Sequence, residues 1–307
     1  MILFNISNEV WLSGHPIELE RQLVDTFTME NPKAIEAERM GRWFNPDEQY
    51  VRFWRYAGGS LVLPRGAART IYRAAEQYGP VEVIDRRLLL PPCGYQFSGQ
   101  LRPYQVQAVQ GILKREFGVL EAGTGSGKTV MALAIIAARK QPTLVLVHNK
   151  ELLYQWRDRI KQFLGIEAGL IGDGRFDLQP VTVGIVNTAR KRLERLQERF
   201  GHVVVDECHR VPGTMFSEAL KTFPAHYMLG LSATPYRRDG LNDLIGWFVG
   251  EHRVTVDRAV LHQVGAVLRP KVQTTETSFN YWYEDDYQAM ISALTEDQDR
   301  NTLVAEQ

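Results

Sequence analysis

The stretch Gly118-Val119-Leu120-Glu121-Ala122-Gly123-Thr124-Gly125-Ser126-Gly127-Lys128-Thr129 decides the fold of this chain. A short apolar run leads into a loop with alternating glycines, and a helical pattern follows from Val130. Glycines let backbone N–H groups close around phosphate oxygens, and the helix N-terminus adds its positive dipole end. The stretch therefore predicts a nucleoside triphosphate site, with Lys128 on the β- and γ-phosphates and Thr129 on Mg²⁺. The alternative, a glycine-rich surface turn, is disfavoured by the position between strand and helix.

Composition limits the possible classes of protein. The 307 residues have room for about two domains of ~150 residues each. The formal net charge is zero, so any binding to a polyanion must come from local patches. Two cysteines, Cys93 and Cys208, are too few for a disulfide framework. The N-terminus lacks the features of a signal peptide, and the longest apolar run, 130–138, is too short to cross a bilayer. We expect a cytoplasmic protein without a membrane partner.

Residues 1–91 contain no phosphate loop, and their pattern predicts a separate, small α+β N-terminal domain. Two helices and a β-hairpin around Gly58-Gly59 are the clearest elements. Between Tyr50 and Arg73 there is no acidic residue, and arginines alternate with aromatic residues. Arginines for phosphates and aromatic rings for stacking favour a nucleic-acid surface, with Arg52 and Arg55 as candidates. An aromatic core with a solvated arginine face remains an equal alternative.

The segment 90–94, with two prolines, predicts a joint between domains, and residues 92–256 then alternate strand and helix. This alternation indicates an α/β fold with a parallel sheet covered on both faces. The predicted strands are 118–121, 143–147, 181–185, 203–206 and 228–231. The predicted helices between them are 130–140, 150–164, 187–200 and 214–222.

A second strong signal is Val203-Val204-Val205-Asp206-Glu207-Cys208-His209, in which two acids follow a buried strand. Ligands of such sheets bind at the carboxyl ends of the strands. Asp206 is expected to hold Mg²⁺ through water, and Glu207 to orient and deprotonate the attacking water. His209 can bridge to the loop after the next strand, which carries the hydroxyls of Ser232 and Thr234.

The stretches 122–129, 206–209 and 232–234, in this order, resemble the motor core of superfamily 2 helicases. The resemblance covers residues 97–256 and implies a RecA-like sheet that uses ATP and Mg²⁺, with Ala122 at a position where alanine is usual. It implies that Gln105 binds adenine, that Arg102 packs on it, and that the segment 232–234 couples hydrolysis to strand movement. The residues implied to bind the nucleotide are Arg102, Gln105, Gly123, Thr124, Gly125, Ser126, Gly127, Lys128 and Thr129. The residues implied to contact nucleic acid are His148, Lys150 and Thr188.

Tyr236-Arg237-Arg238-Asp239 resembles the Arg-Glu-Asp element of the XPB-type repair helicases, with Arg238 in place of the glutamate. The Asp-Glu-Cys-His sequence is similar to that of UvsW-type helicases and of restriction-enzyme translocase subunits. The resemblance therefore implies an ATP-dependent DNA helicase or translocase that acts on duplex or branched DNA in repair, recombination or restriction. Arg237 is a further candidate for contact with DNA.

Motors of this superfamily contain two RecA-like domains, and the second supplies an arginine finger. No second set of motifs follows residue 256, so we expect residues 257–307 to be a connector toward an absent second RecA-like domain. We then expect these residues alone to bind ATP–Mg²⁺ weakly and to hydrolyse it poorly. The alternative from another class is a nucleotide-regulated DNA-binding clamp without motor activity. No Cys/His cluster has the spacing of a structural metal site.

Overall fold

The computed structural model describes residues 1–210, 220–233, 243–263, 274–283 and 286–306. Residues 1–267 form one compact unit and residues 268–307 a second. None of the described helices combines the length and the hydropathy that a bilayer-spanning segment needs.

Residues 1–91, called the N-terminal module below, form a mixed sheet with helices. The strands are β1 (Ile2–Ile6), β2 (Val10–Ser13), β3 (Thr28–Glu30), β4 (Tyr50–Arg52), β5 (Arg55–Ala57), β6 (Ser60–Leu63) and β7 (Val81–Asp85). The helices are α1 (Ile17–Thr26), α2 (Pro32–Arg39) and α3 (Ala68–Glu76), with 3-10 turns at Pro46–Glu48 and Arg65–Ala67. Five strands pair in the order β5-β6-β2-β1-β7, and β3 pairs with β4. The predicted hairpin is present, because Gly58 and Gly59 adopt φ values of 54° and 73° between β5 and β6.

Residues 92–256 form the phosphate-loop module, with an eight-stranded sheet and helices between its strands. The strands are β8 (Phe117–Glu121), β9 (Thr143–Val147), β10 (Gly169–Gly172), β11 (Arg175–Phe176), β12 (Val181–Ile185), β13 (His202–Val205), β14 (Tyr227–Ser232) and β15 (Arg253–Thr255). The helices are α4 (Pro103–Leu113), α5 (Lys128–Arg139), α6 (Lys150–Leu164), α7 (Val186–Ala189) and α8 (Asp243–Phe248), and α9 (Arg258–Gln263) follows the module. Two 3-10 turns cover Arg190–Arg195 and Cys208–Arg210.

The sheet order is β11-β10-β12-β9-β13-β14-β8-β15, and every neighbouring pair is parallel except β10 with β11. The parallel sheet is therefore as predicted. It brings the carboxyl ends of β8, β13 and β14 side by side, so the segments that follow these strands meet at one edge.

Local sequence explains the bounds of the best-predicted elements. All five residues of β9 are buried, as expected for a parallel strand covered on both faces. Helix α6 begins where the Asn149 side chain accepts a hydrogen bond from Leu152 N at 2.9 Å. It ends at Gly165, which adopts a left-handed φ of 67°.

The predicted helix 187–200 is wrong. Helix α7 ends at Ala189, and Arg192 leaves helical geometry with a φ of −138°. The guanidinium carbons of Arg192 and Arg195 lie 4.9 and 4.2 Å from the centroid of the Phe176 ring, so a tertiary contact overrides the helical pattern. The short strands β10, β11 and β15 were not predicted. Most of the predicted helix 214–222 lies outside the described residues.

Side chains that alternate along a strand of the large sheet pack into two different apolar clusters, one on each face. Val203 and Val205 face one apolar cluster, whereas Val204 faces a second cluster beneath α4, α5 and α6. The first cluster continues without a break into the N-terminal module, where it includes Phe4 and Leu12. The two modules therefore share one hydrophobic core.

Helix α8 is the main apolar contact between the modules. The ring of Trp247 lies 5.0 Å from that of Phe27 and 5.2 Å from that of Phe53, measured between centroids, and Phe53 also lies 5.9 Å from Phe248. Offset and edge-on aromatic pairs at such distances stabilise the fold by more than the area that they bury accounts for.

The second compact unit contains helices α10 (Tyr287–Glu296) and α11 (Gln298–Ala305), which share Asp297 as boundary residue.

Candidate active site

The phosphate loop, residues 122–129, connects β8 to α5. Gly125 and Gly127 both adopt a φ of 83°, a left-handed conformation that favours glycine. Helix α5 begins without a side-chain cap, so the N–H groups of its first turn lack a capping acceptor. Ala122 N donates to Ser232 O at 3.0 Å and fixes the start of the loop to the end of β14. An uncapped helix end behind a glycine loop is the usual arrangement for binding phosphate.

Lys128 lies inside the loop and close to the predicted acids. Its Nζ donates to Ala122 O at 3.0 Å and lies 4.0 Å from Glu207 Oε1. Only 11% of the Lys128 side chain is exposed, so contacts with the loop, and not with solvent, set the position of its ammonium group. The structure thus brings Lys128 and Glu207 together from two segments that are far apart in sequence.

Two side chains of α4 form hydrogen bonds with the backbone of the phosphate loop. Tyr104 OH and Gln105 Nε2 both donate to Ser126 O at 2.9 Å. Gln105 Oε1 accepts from Arg102 N at 2.9 Å, while the Arg102 residue itself is exposed. The predicted adenine-reading residues therefore lie beside the loop, and Gln105 is bonded to it.

Asp206 is buried at the carboxyl end of β13 and accepts two hydrogen bonds. Trp156 Nε1 donates to Oδ2 at 2.8 Å, and Glu207 N donates to Oδ1 at 3.0 Å. Burial raises the pKa of the Asp206 carboxyl above its ordinary value, and the hydrogen bond from Trp156 opposes this rise.

Glu207 has a φ of 47°, which is uncommon for a residue with a side chain and occurs often at functional sites. His209 Nδ1 lies 3.0 Å from Ser232 Oγ and 3.3 Å from Glu207 Oε2. The contact between His209 and Glu207 is within ion-pair range but lacks hydrogen-bond geometry. Glu207 Oε2 is therefore a buried oxygen without a hydrogen bond from the described residues. His209 thus spans the segments that follow β13 and β14. Thr234 lies outside the described residues.

The residues of this edge fit a Mg²⁺–nucleotide. Carboxylate and hydroxyl oxygens, here from Asp206 and Thr129, are the ligand type that Mg²⁺ prefers. Ser126 Oγ is buried and has no hydrogen-bond partner in the described part of the chain. A cation of the loop, two acids and an orphaned loop hydroxyl together suit a charged ligand with oxygen atoms.

The candidate nucleic-acid residues of the phosphate-loop module have varied environments. His148 follows β9 and has a buried Nδ1 without a hydrogen bond from described residues. Lys150 is exposed, and its Nζ lies 2.8 Å from Asp173 Oδ1, which raises the pKa of Lys150. Thr188 is half-buried in α7. Arg237 lies outside the described residues.

In the N-terminal module, arginines that are close in sequence separate into different environments. Arg52 is exposed, with its guanidinium 5.9 Å from the Trp54 ring centroid. Arg55 Nη2 pairs with Glu9 Oε2 at 2.5 Å. Arg65 is 3% exposed and donates to backbone carbonyls, so it does not belong to a solvated basic face.

Sequence reasoning missed two residues that contact the phosphate loop or Asp206, and a third that pairs with Lys150. Trp156 and Tyr104 read as ordinary core residues, because an aromatic on the apolar face of a helix gives no sign of its polar partner. Asp173, which accepts from Lys150 and Tyr154, lies in a turn with no recognisable motif.

Comparisons with known proteins agree with this geometry. Residues 98–237 match the family model of the Type III restriction enzyme, res subunit. The chain is 38% identical over 151 residues to the DNA 3'-5' translocase XPB2 of Sulfurisphaera tokodaii, a match that covers 49% of this chain and 34% of that protein. It is 35% identical over 133 residues to the probable helicase D10 of Escherichia phage T5, covering 43% of this chain and 30% of that protein.

The fold resembles that of bacteriophage T4 UvsW, with a TM-score of 0.62, 20% identity and coverage of 82% of this chain and 56% of that chain. A second UvsW structure gives a TM-score of 0.61 at 19% identity and covers 83% of this chain and 99% of that chain. Such coverage includes both modules, so the likeness extends beyond the phosphate-loop sheet. Residues 98–237 are thus similar in sequence to the restriction-subunit family, and the chain is similar to the XPB2 translocase and to helicase D10 and shares the fold of UvsW.

Proposed function

We propose that the edge formed by β8, β13 and β14 binds and hydrolyses ATP and couples hydrolysis to movement on DNA. The observation that carries this proposal is the cluster of Lys128, Glu207 and His209 at one edge. It holds a loop cation, an acid whose Oε2 accepts no hydrogen bond from the described residues, and a histidine that bridges to Ser232. A structural ion pair would not need an acceptor that is left without a hydrogen bond.

Each residue has a role that its position supports. Lys128 exchanges its contact with Ala122 O for the β- and γ-phosphates, while the N–H groups of the loop and of α5 bind phosphate oxygens. Thr129 and Asp206 would hold Mg²⁺, which neutralises phosphate charge when it is bound. Glu207 orients the attacking water and accepts its proton at a carboxylate oxygen.

His209 couples this chemistry to the segment 232–234. Because Nδ1 lies between Glu207 and Ser232, a shift of the Glu207 carboxylate changes the contact with Ser232. We propose that Ser232 and Thr234 pass this change on to the DNA-binding surface.

The proposed nucleic acid is duplex or branched DNA, in repair, recombination or restriction. The support is that the relative from Sulfurisphaera tokodaii is described as a DNA translocase. We propose His148, Lys150, Thr188 and Arg237 as contacts in the phosphate-loop module, and Arg52 and Arg55 in the N-terminal module.

We further propose that a second RecA-like domain completes the ATP site with an arginine finger, worth about 10³- to 10⁵-fold in related NTPases. The matched regions span about a third of the two relatives, which leaves room in those proteins for further domains. Turnover by residues 1–307 alone is then expected to be slow.

ATP binding measured by calorimetry and steady-state hydrolysis, each with and without DNA, tests the proposal. Lys128→Ala is expected to lower ATP affinity and any turnover by about 100-fold or more, because it removes the principal phosphate cation. Lys161→Ala is the matched control, since Lys161 pairs with Glu167 on the surface. Equal behaviour of the two variants would contradict the proposal. ATP binding that alters DNA affinity without any hydrolysis, even with a second RecA-like domain supplied, would favour the regulated clamp instead.

A further inference from the structure

The indole of Trp156 reaches from the middle of α6 to the predicted magnesium carboxylate. Trp156 is 1% exposed, and its Nε1 donates to Asp206 Oδ2 at 2.8 Å. The other oxygen, Oδ1, accepts from Glu207 N at 3.0 Å. These two donors fix the orientation of the carboxylate, and with it the direction of the lone pairs that remain free to bind a cation.

The hydrogen bond from Trp156 restrains the carboxylate more strongly than a solvent molecule would. Only 6% of Asp206 is exposed, so water cannot replace the bond without a rearrangement. An indole N–H is a donor only, and the close packing of the ring holds its orientation. Hydrogen bonds to ionised acceptors are also shorter and stronger than those between neutral groups.

Helix α6 carries this donor and also begins at the predicted DNA-contact segment. In its first two turns, Lys150 and Tyr154 both bind Asp173, while Asn149 caps the helix. The same rigid helix of 15 residues therefore connects Lys150 with Asp206 through Trp156. A displacement of α6 would move the indole relative to the carboxylate.

We propose that Trp156 is a positioning residue that orients the Asp206 carboxylate for Mg²⁺–nucleotide binding. This inference rests on the proposed ATP site and adds a residue to which neither the sequence motifs nor the comparisons assign a role. Trp156 contacts no reacting atom, and it acts through Asp206. Partners of metal-binding carboxylates commonly change metal affinity by about 10- to 100-fold when they are removed.

The test is ATP binding by calorimetry across a Mg²⁺ titration and in EDTA, with the variant Trp156→Phe. Phenylalanine keeps an aromatic ring in the core but lacks the N–H donor. We expect the half-saturating Mg²⁺ concentration to rise about 10- to 100-fold, while the ATP affinity in EDTA stays unchanged. Trp247→Phe is the matched control. It also replaces a buried indole with a phenyl ring, but in the aromatic cluster of α8 with Phe27 and Phe53. It should leave the Mg²⁺ dependence unchanged.

A Trp156→Phe protein with the wild-type Mg²⁺ dependence would overturn the inference. Wild-type protein that binds no ATP with Mg²⁺ would instead overturn the proposed function, so the two failures are distinguishable. If Trp156→Phe does not fold, ¹⁵N-tryptophan NMR of Asp206→Asn tests the hydrogen bond on which the inference depends. One indole N–H signal should move in that variant, because its acceptor changes from carboxylate to amide. Unmoved indole signals would also overturn the inference.

Discussion

Arg65 of the N-terminal module donates its Nη1 to the carbonyl oxygen of Ala225, 2.8 Å away, just before β14. The same Nη1 lies 3.2 Å from Ser7 O, so one guanidinium joins the connection between β1 and β2 to the large sheet. Burial lowers the pKa of Arg65 to about 9, yet no carboxylate pairs with it among the described residues. Its guanidinium carbon lies 5.0 Å from the Phe117 ring centroid, which partly compensates for the lost hydration.

Gly66→Ala is expected to lower the free energy of unfolding by about 1–3 kcal/mol. A Cβ at this position would lie 2.5 Å from the carbonyl oxygens of Gly246 and Trp247, which are backbone atoms that cannot move aside. Urea denaturation measures the change. Gly94→Ala is the control, because its Cβ would meet nothing within 4 Å. Similar unfolding midpoints for both variants would contradict the close contact of Gly66 with α8.

His202→Gln is expected to weaken the loss of stability on acidification. Burial, followed by the charge of Arg139, holds the pKa of His202 well below its ordinary value of 6.5. Below pH 6.5 the unfolded state therefore binds a proton that the folded state does not, and stability falls as the pH decreases, by up to about 1.4 kcal/mol per pH unit. Thermal or urea unfolding between pH 7 and pH 5 measures this slope. An unchanged slope in the variant would show that His202 does not carry it.

Gly127→Ala is expected to abolish ATP binding. A Cβ would lie 2.5 Å from Gln105 Nε2, and the φ of 83° disfavours any side chain. Gly174→Ala is the control, since Gly174 has a φ of 75° with nothing within 4 Å of its Cβ. Both variants should lose about 1–2 kcal/mol of stability, but only Gly127→Ala should lose ATP affinity in calorimetry. Retained ATP binding in Gly127→Ala would argue against this loop as the nucleotide site.

Arg52→Ala is expected to weaken DNA binding more than Arg55→Ala. Glu9 already neutralises Arg55, whereas Arg52 makes no ion pair with a described residue. Fluorescence anisotropy over a range of salt concentrations should show a slope reduced by about 1 for Arg52→Ala. The reverse order of the two variants, or no effect of either, would favour the alternative in which these arginines form a solvated face.

The sequence predicts elements whose signals are local, and it fails where distant residues decide. Strand β9 and helix α6 have the predicted bounds, because a continuous apolar run, an asparagine cap and a terminal glycine specify them. The helix predicted at 187–200 breaks because Arg192 and Arg195 stack on Phe176, a contact between separate segments.

The same distinction applies to the site. The glycine loop and the acids after β13 are recognisable from spacing, because strand ends in a parallel sheet meet at one edge. Trp156 is 50 residues from its partner Asp206, and nothing in the sequence of α6 indicates the hydrogen bond. Arg65 appears in an arginine-rich run that favours a surface, and only the packing of the two modules shows that it is buried.

The core shared by the two modules has a consequence for truncation experiments. A cut between residues 91 and 92 would expose the rings of Phe27 and Phe53 on one piece and Trp247 and Phe248 on the other. Both pieces would then tend to aggregate, so loss of DNA binding after such a cut would report misfolding rather than a missing contact. The contribution of each module is better separated by surface substitutions in the intact protein.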